Sequence, residues 1–105
     1  KKTDVPEKVL KERLVLKNFA FCACLKYSNP PHSSILEDGS MAAYFERGTY
    51  PVEAYEIVDK MAREFAKREY KSKHDKPLDL MKSLDFYNSK ELEQKINSLD
   101  TMLLK

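Results

Sequence analysis

Three sets of residues in this 105-residue chain have the types that carry chemistry: Cys22 and Cys24, the histidines His32 and His74, and the run Ser72, Lys73, His74, Asp75. Cysteine with histidine binds zinc, a cysteine beside a base is a nucleophile, and serine, histidine and aspartate together perform acyl transfer. The spacing works against each. Residues two apart on a helix point about 200° from one another, so Cys22 and Cys24 neither bridge each other nor chelate one ion. Zinc needs two more ligands, and His32 and His74 stand in separate loops without a second ligand at chelating distance. The thiols lie in the most apolar stretch of the chain, where the thiolate is disfavoured. Three polar neighbours in an exposed loop do not make a triad, which is defined by geometry. No phosphate-cradling glycine loop, His-Glu-x-x-His or calcium-loop spacing occurs. The expectation is a non-enzymatic chain with no catalytic residues, no cofactor and no metal, whose cysteines act as small core hydrophobes.

The elements that position these residues read as helices. Thr3 or Asp4 caps a first helix with Pro6 in its first turn, running to about Tyr27. Its apolar residues, among them Leu14, Leu16, Phe19, Ala20, Phe21 and Leu25, wrap more than half way round it, which makes it the central element. Pro30 and Pro31 stop it. Ser33 or Ser34 opens a second helix that passes through Gly39 and closes at Gly48 in a left-handed stop. Thr49 caps a third, with Pro51 near its start, running to about Tyr70 with a charged outer face of alternating sign. Residues 71–77, Lys-Ser-Lys-His-Asp-Lys-Pro, form an exposed loop. A short helix over 78–87 turns Leu80, Met81, Leu84 and Phe86 inward. Asn88 with Glu91 makes a capping box for a last helix to about Leu103. The fold expected is all-α, a compact bundle of about five helices forming a single domain over residues 1–105.

Composition narrows the partners. Nineteen Lys and Arg against 17 Asp and Glu leave a net charge of +2, too small and too interspersed to mark a nucleic-acid or membrane-surface binder. No apolar run approaches the roughly 20 residues that span a bilayer. A start at Lys1 without methionine fits either a chosen boundary or a mature end from which a secretory signal has been removed. Tyrosine is the informative excess: Tyr44, Tyr50, Tyr55 and Tyr70 gather around the second and third helices, where a ring packs while its tip stays wet. The group suits an interface, although each tyrosine taken singly fits the edge of an ordinary core.

Three segments in this order, Leu-Lys-Asn-Phe-Ala-Phe-Cys-Ala-Cys-Leu at 16–25, Ala-Ala-Tyr-Phe-Glu-Arg-Gly-Thr-Tyr-Pro-Val-Glu-Ala-Tyr at 42–55, and Leu-Met-Lys-Ser-Leu-Asp-Phe-Tyr-Asn-Ser-Lys-Glu-Leu at 80–92, carry a family likeness. The chain resembles the periplasmic immunity proteins that neutralise the fourth family of type VI secretion amidase effectors. The resemblance spans nearly the whole chain. It implies a homodimeric, non-enzymatic inhibitor of a peptidoglycan-cutting cysteine hydrolase, the immunity half of a toxin–antitoxin pair, with no nucleic-acid or membrane partner. In that family a loop of one subunit enters the effector's groove while a helix of the other supports the contact. The matching loop here is 71–76, with Ser72, Lys73, His74, Asp75 and Lys76 as contacts; the supporting surface is Tyr44, Glu46, Tyr50 and Glu53. The resemblance also implies a cysteine in the Leu-Met-Lys-x-Leu-Asp-Phe-Tyr segment able to pair with one from the first helix. This chain has Ser83 there, so that crosslink cannot form and stability must come from burial or dimerisation. A helical adaptor or chaperone-like module is the alternative reading; a DNA-binding domain would need a basic recognition helix, which the alternating third helix is not.

Overall fold

A computed structural model describes residues 5–29 and 38–103. Within it, 22 consecutive residues free of glycine and proline form α1 (Glu7–Ser28). It follows Pro6 at the N-cap and ends at Asn29, whose side-chain amide donates to the Leu25 carbonyl at 2.7 Å. The remaining elements are α2 (Ser40–Arg47), α3 (Val52–Ala66), α4 (Asp79–Tyr87), α5 (Lys90–Ser98) and a closing 3-10 turn, Leu99–Met102. All the described secondary structure is helical. Among the described residues the expected all-α bundle of about five helices is the fold observed, with five α-helices.

Helix α1 is central, packing against each of the other four helices, and α3 also touches α4 and α5. The apolar excess of α1 has this cause: Leu16, Ala20, Ala23 and Cys24 are each 0% exposed because neighbours cover several sides. Fully buried alanines on α1 (Ala20, Ala23) and on α3 (Ala54, Ala62) let these two helices approach closely. Tyr55 is the aromatic hub, with its ring centroid 4.9 Å from Phe19, 4.7 Å from Phe45 and 6.3 Å from Tyr50, all edge-on. Phe86 and Phe65 meet with ring centroids 5.0 Å apart and planes tilted by 40°, joining α4 to α3.

Several local expectations are corrected. Helix α2 begins at Ser40, with Gly39 outside it as N-cap at φ −92°, ψ 9°; the expected start at Ser33 or Ser34 lies outside the described residues, as do the caps Thr3 and Asp4. Gly48 is extended, φ −86° and ψ 165°, and not left-handed. Glycine is required there for space: a Cβ at Gly48 would strike the Tyr55 hydroxyl and sit 3.1 Å from Val15 Cγ1. Thr49 caps nothing; its amide donates to Glu12 Oε1 at 2.9 Å, and Pro51 holds the N-cap of α3. The cap of α5 is Ser89, whose hydroxyl accepts from the Leu92 amide at 3.1 Å, while Asn88 turns back and donates to the Leu84 carbonyl at 3.0 Å.

The largest correction concerns α4. Leu80, Met81 and Leu84 are 62%, 53% and 49% exposed, and the buried side is Lys82, Ser83 and Phe86. Two demands turn the helix. The last carbonyls of α3 need a donor, which Lys82 supplies, and close approach to α1 needs a small side chain, which is Ser83 against Cys24.

Candidate functional site

The connection from α3 to α4 contains the predicted loop, and it is built from its base upward. Helix α3 stops at Ala66, four residues short of the expected end. The Ala66 and Arg68 carbonyls both accept from Lys82 Nζ, at 2.7 and 2.9 Å. Lys82 is 7% exposed, so this is a buried ammonium neutralising the negative end of a helix. One level higher, Tyr70 donates its hydroxyl to Asp85 Oδ2 at 2.7 Å, and that carboxylate pushes the Tyr70 phenol pKa up. The tip is braced by Ser72. Its Oγ accepts from the Lys76 amide at 2.8 Å and from the His74 amide at 3.3 Å, while its carbonyl accepts from the Asp75 amide at 3.3 Å. Asp75 takes a left-handed φ of 58°, a conformation that aspartate tolerates through its short polar side chain. Lys73, His74, Asp75 and Lys76 all project into solvent.

The second predicted surface is the corner between α2 and α3. Glu46 and Glu53 are exposed and Tyr44 is half-buried, with the Arg47 guanidinium 5.5 Å above its ring. Phe45 and Val52, 41% and 51% exposed, add apolar area. Tyr50 lies beneath this surface, 6% exposed, so its ring supports the corner from inside. Burial, reinforced by the Asp100 carboxylate, pushes its phenol up to about 12. The hydroxyls of Tyr50 and Tyr55 are buried without a hydrogen-bond partner among the described residues. Below them Arg13 grips Asp100 through both Nε and Nη2, tying the start of α1 to the closing 3-10 turn.

The structure does not bring the two surfaces together within one chain. They flank opposite ends of α3, whose 15 residues span about 20 Å at 1.5 Å per residue.

Neither thiol is activated. Burial raises the pKa of Cys22, and burial raises that of Cys24 against the opposing pull of the Ser83 and Ser28 hydroxyls. Those two hydroxyls are themselves buried without a hydrogen-bond partner among the described residues, and both act on the Cys24 thiol. Cys24 is buried and Cys22 half-buried. Among the described residues no three of His, Cys, Asp and Glu come together to hold a metal ion, and His32 lies outside them. No described helix is long and apolar enough to cross a membrane. The groups that sequence reasoning missed are Lys82, the Tyr70–Asp85 pair and the Ser72 brace. Only Lys82 left a trace, standing four residues before Phe86 on the same helical face.

The family model of Tai4, type VI secretion system (T6SS) amidase immunity protein, matches residues 14–96. The chain belongs to this family. Comparison with curated proteins and with solved structures gives no match. The matched span runs from Leu14 in α1 to Ile96 in α5, so every residue of both surfaces of this T6SS amidase immunity protein lies inside it.

Proposed function

We propose that the protein binds a cognate T6SS amidase effector, a cysteine hydrolase of peptidoglycan, and inhibits it by filling its active-site groove. The proposal places it in the periplasm, as a non-enzymatic single domain over residues 1–105. Family membership supports the inhibitor reading over a general adaptor, and one structural observation carries it further: the loop at 71–76 projects from a base pinned by Lys82 and Tyr70, so the scaffold holds its tip outward. Rigid presentation lowers the ordering cost of binding. Ser72, Lys73, His74, Asp75 and Lys76 form the part that enters the groove. Tyr44, Glu46 and Glu53, held over Tyr50, form a supporting contact.

The separation of the two surfaces along α3 favours a homodimer, in which the loop of one protomer stands beside the corner of the other and the two act on one effector. The test is an amidase assay on peptidoglycan fragments with and without the protein, together with light scattering at micromolar concentration. Full amidase activity at a molar excess of the protein overturns inhibition, and a monomeric mass overturns the dimer.

A further inference from the structure

The loop's charges are distributed unevenly in a way that bears on what it enters. The exposed cations around its base have a carboxylate beside them: Lys67 with Glu64 at 3.4 Å, Arg68 with Glu91 at 3.8 Å, and Lys71 with Glu69 at 4.0 Å. At the tip, Lys73 and Lys76 have no ion-pair partner among the described residues, and one carboxylate, Asp75, stands between them. Behind the base the buried Lys82 ammonium is met by two carbonyls and by no carboxylate within ion-pair distance among the described residues. The tip is therefore the part of the loop where positive charge is left over, with a further cation beneath it.

Shape is settled in advance as well. Ser72 gathers the amides of His74 and Lys76 onto one oxygen, and Asp75 is already left-handed, so Lys73 and Lys76 leave the turn from a closed frame. Ser72 is half-buried while its four successors are exposed, which separates the group that sets the shape from the groups available to touch a partner.

We propose that residues 71–77 form a pre-shaped cationic plug for an acidic cleft on the partner, with Lys73 and Lys76 as its contact charges and Ser72 as the positioning residue that sets their directions. This rests on the inhibitor reading above and adds the chemistry of the surface it meets. Matched charges of this kind act on encounter rate and selectivity, and weaken as salt rises.

The experiment uses a peptidoglycan-cutting T6SS amidase that the wild-type protein inhibits, and measures Kd and association rate between about 0.05 and 0.5 M salt, spanning Debye lengths from roughly 13 to 4 Å. The wild-type association rate should fall steeply with salt. The Lys73→Glu, Lys76→Glu double variant should bind at least roughly tenfold more weakly, and Lys73→Gln, Lys76→Gln should show a flattened salt dependence. Ser72→Ala removes no exposed charge. In the free protein it should speed hydrogen exchange at the His74 and Lys76 amides, and it should weaken binding while leaving the salt dependence as in wild type. All variants change exposed or half-exposed loop positions, so circular dichroism and melting serve as controls for folding. Inhibition by the wild type with no response to charge reversal or salt overturns the acidic cleft and leaves the inhibitor reading standing. Unchanged amide exchange in Ser72→Ala overturns the pre-shaped frame. If the wild type inhibits no such amidase, the inhibitor reading fails and this inference fails with it.

Discussion

Gly48 offers the sharpest test of how the corner is built, because two explanations for glycine at this position differ on whether removing the Tyr55 hydroxyl restores the stability that alanine costs. If glycine were needed for a left-handed turn, alanine would be strained whatever its neighbours. The observed φ of −86° and ψ of 165° suit alanine, so the backbone carries no penalty, and by limiting the unfolded chain the substitution alone would add about 0.4–1 kcal/mol of stability. The obstacle is the Tyr55 hydroxyl, which a Cβ at this position would strike, with Val15 Cγ1 at 3.1 Å and Glu12 Oε1 at 3.4 Å closing the other sides. Tyr55 is 3% exposed and packed edge-on by three rings, so it has little room to retreat.

Overpacking a filled core costs about 1–3 kcal/mol, so Gly48→Ala should lose about 0.5–2.5 kcal/mol net. For a domain of this size each kcal/mol shifts the midpoint by about 4–8 °C, an effect that thermal and urea unfolding followed by helical circular dichroism resolve easily. Tyr55→Phe removes the obstructing oxygen. That hydroxyl is buried without a hydrogen-bond partner among the described residues, so its loss forfeits none of their hydrogen bonds and should be neutral or slightly stabilising. In the double variant the new methyl occupies the vacated space, and stability should return close to wild type, with a coupling of about 1–2 kcal/mol between the sites. Strictly additive effects, or an alanine variant as stable as wild type, would show that the close approach does not decide the residue.

Three further outcomes follow from particular contacts. Ser83→Cys places a thiol where the Ser83 hydroxyl now faces Cys24, so under oxidising conditions the denatured protein should titrate one thiol, Cys22, and stability should rise by about 2–4 kcal/mol; three titratable thiols would show that the side chains do not meet in bonding geometry. Lys82→Met leaves the Ala66 and Arg68 carbonyls without their donor and should cost about 1–2 kcal/mol in urea unfolding, whereas equal or greater stability would mean that burying the ammonium outweighs its two hydrogen bonds. Tyr50 has a folded phenol pKa raised to about 12, above the usual value near 10, so its contribution to stability is complete below pH 10 and is lost as the pH rises through 12. Tyr50→Phe should therefore lose less stability than wild type between pH 9 and 12, by roughly 2 kcal/mol, and parallel losses would refute the assignment.

The helices were legible because their cause is local. Hydrophobic spacing, scarce glycine and the prolines at Pro6 and Pro51 specify that α1 and α3 form and where their apolar stripes run, and the family likeness rests on the same segments. Boundaries were less legible where two neighbouring residues compete for one role. Asn88 and Ser89 both have capping side chains, and only the direction of the chain as it leaves α4 decides that Asn88 closes one helix while Ser89 opens the next.

By itself the sequence determined an all-helical chain with α1 at its centre, unactivated cysteines in its most apolar stretch and an exposed polar loop at 71–76. Tertiary structure alone decided which side of α4 is buried, why position 48 admits no side chain, and how the loop is braced. Each of these depends on groups distant in sequence meeting in space: Lys82 reaching the end of α3, Tyr55 arriving beside Gly48, Tyr70 meeting Asp85. Periodicity records how apolar a face is. It carries no record of a carbonyl on another helix that needs a donor, and at α4 that need, with the close approach at Ser83, outweighed three exposed apolar side chains.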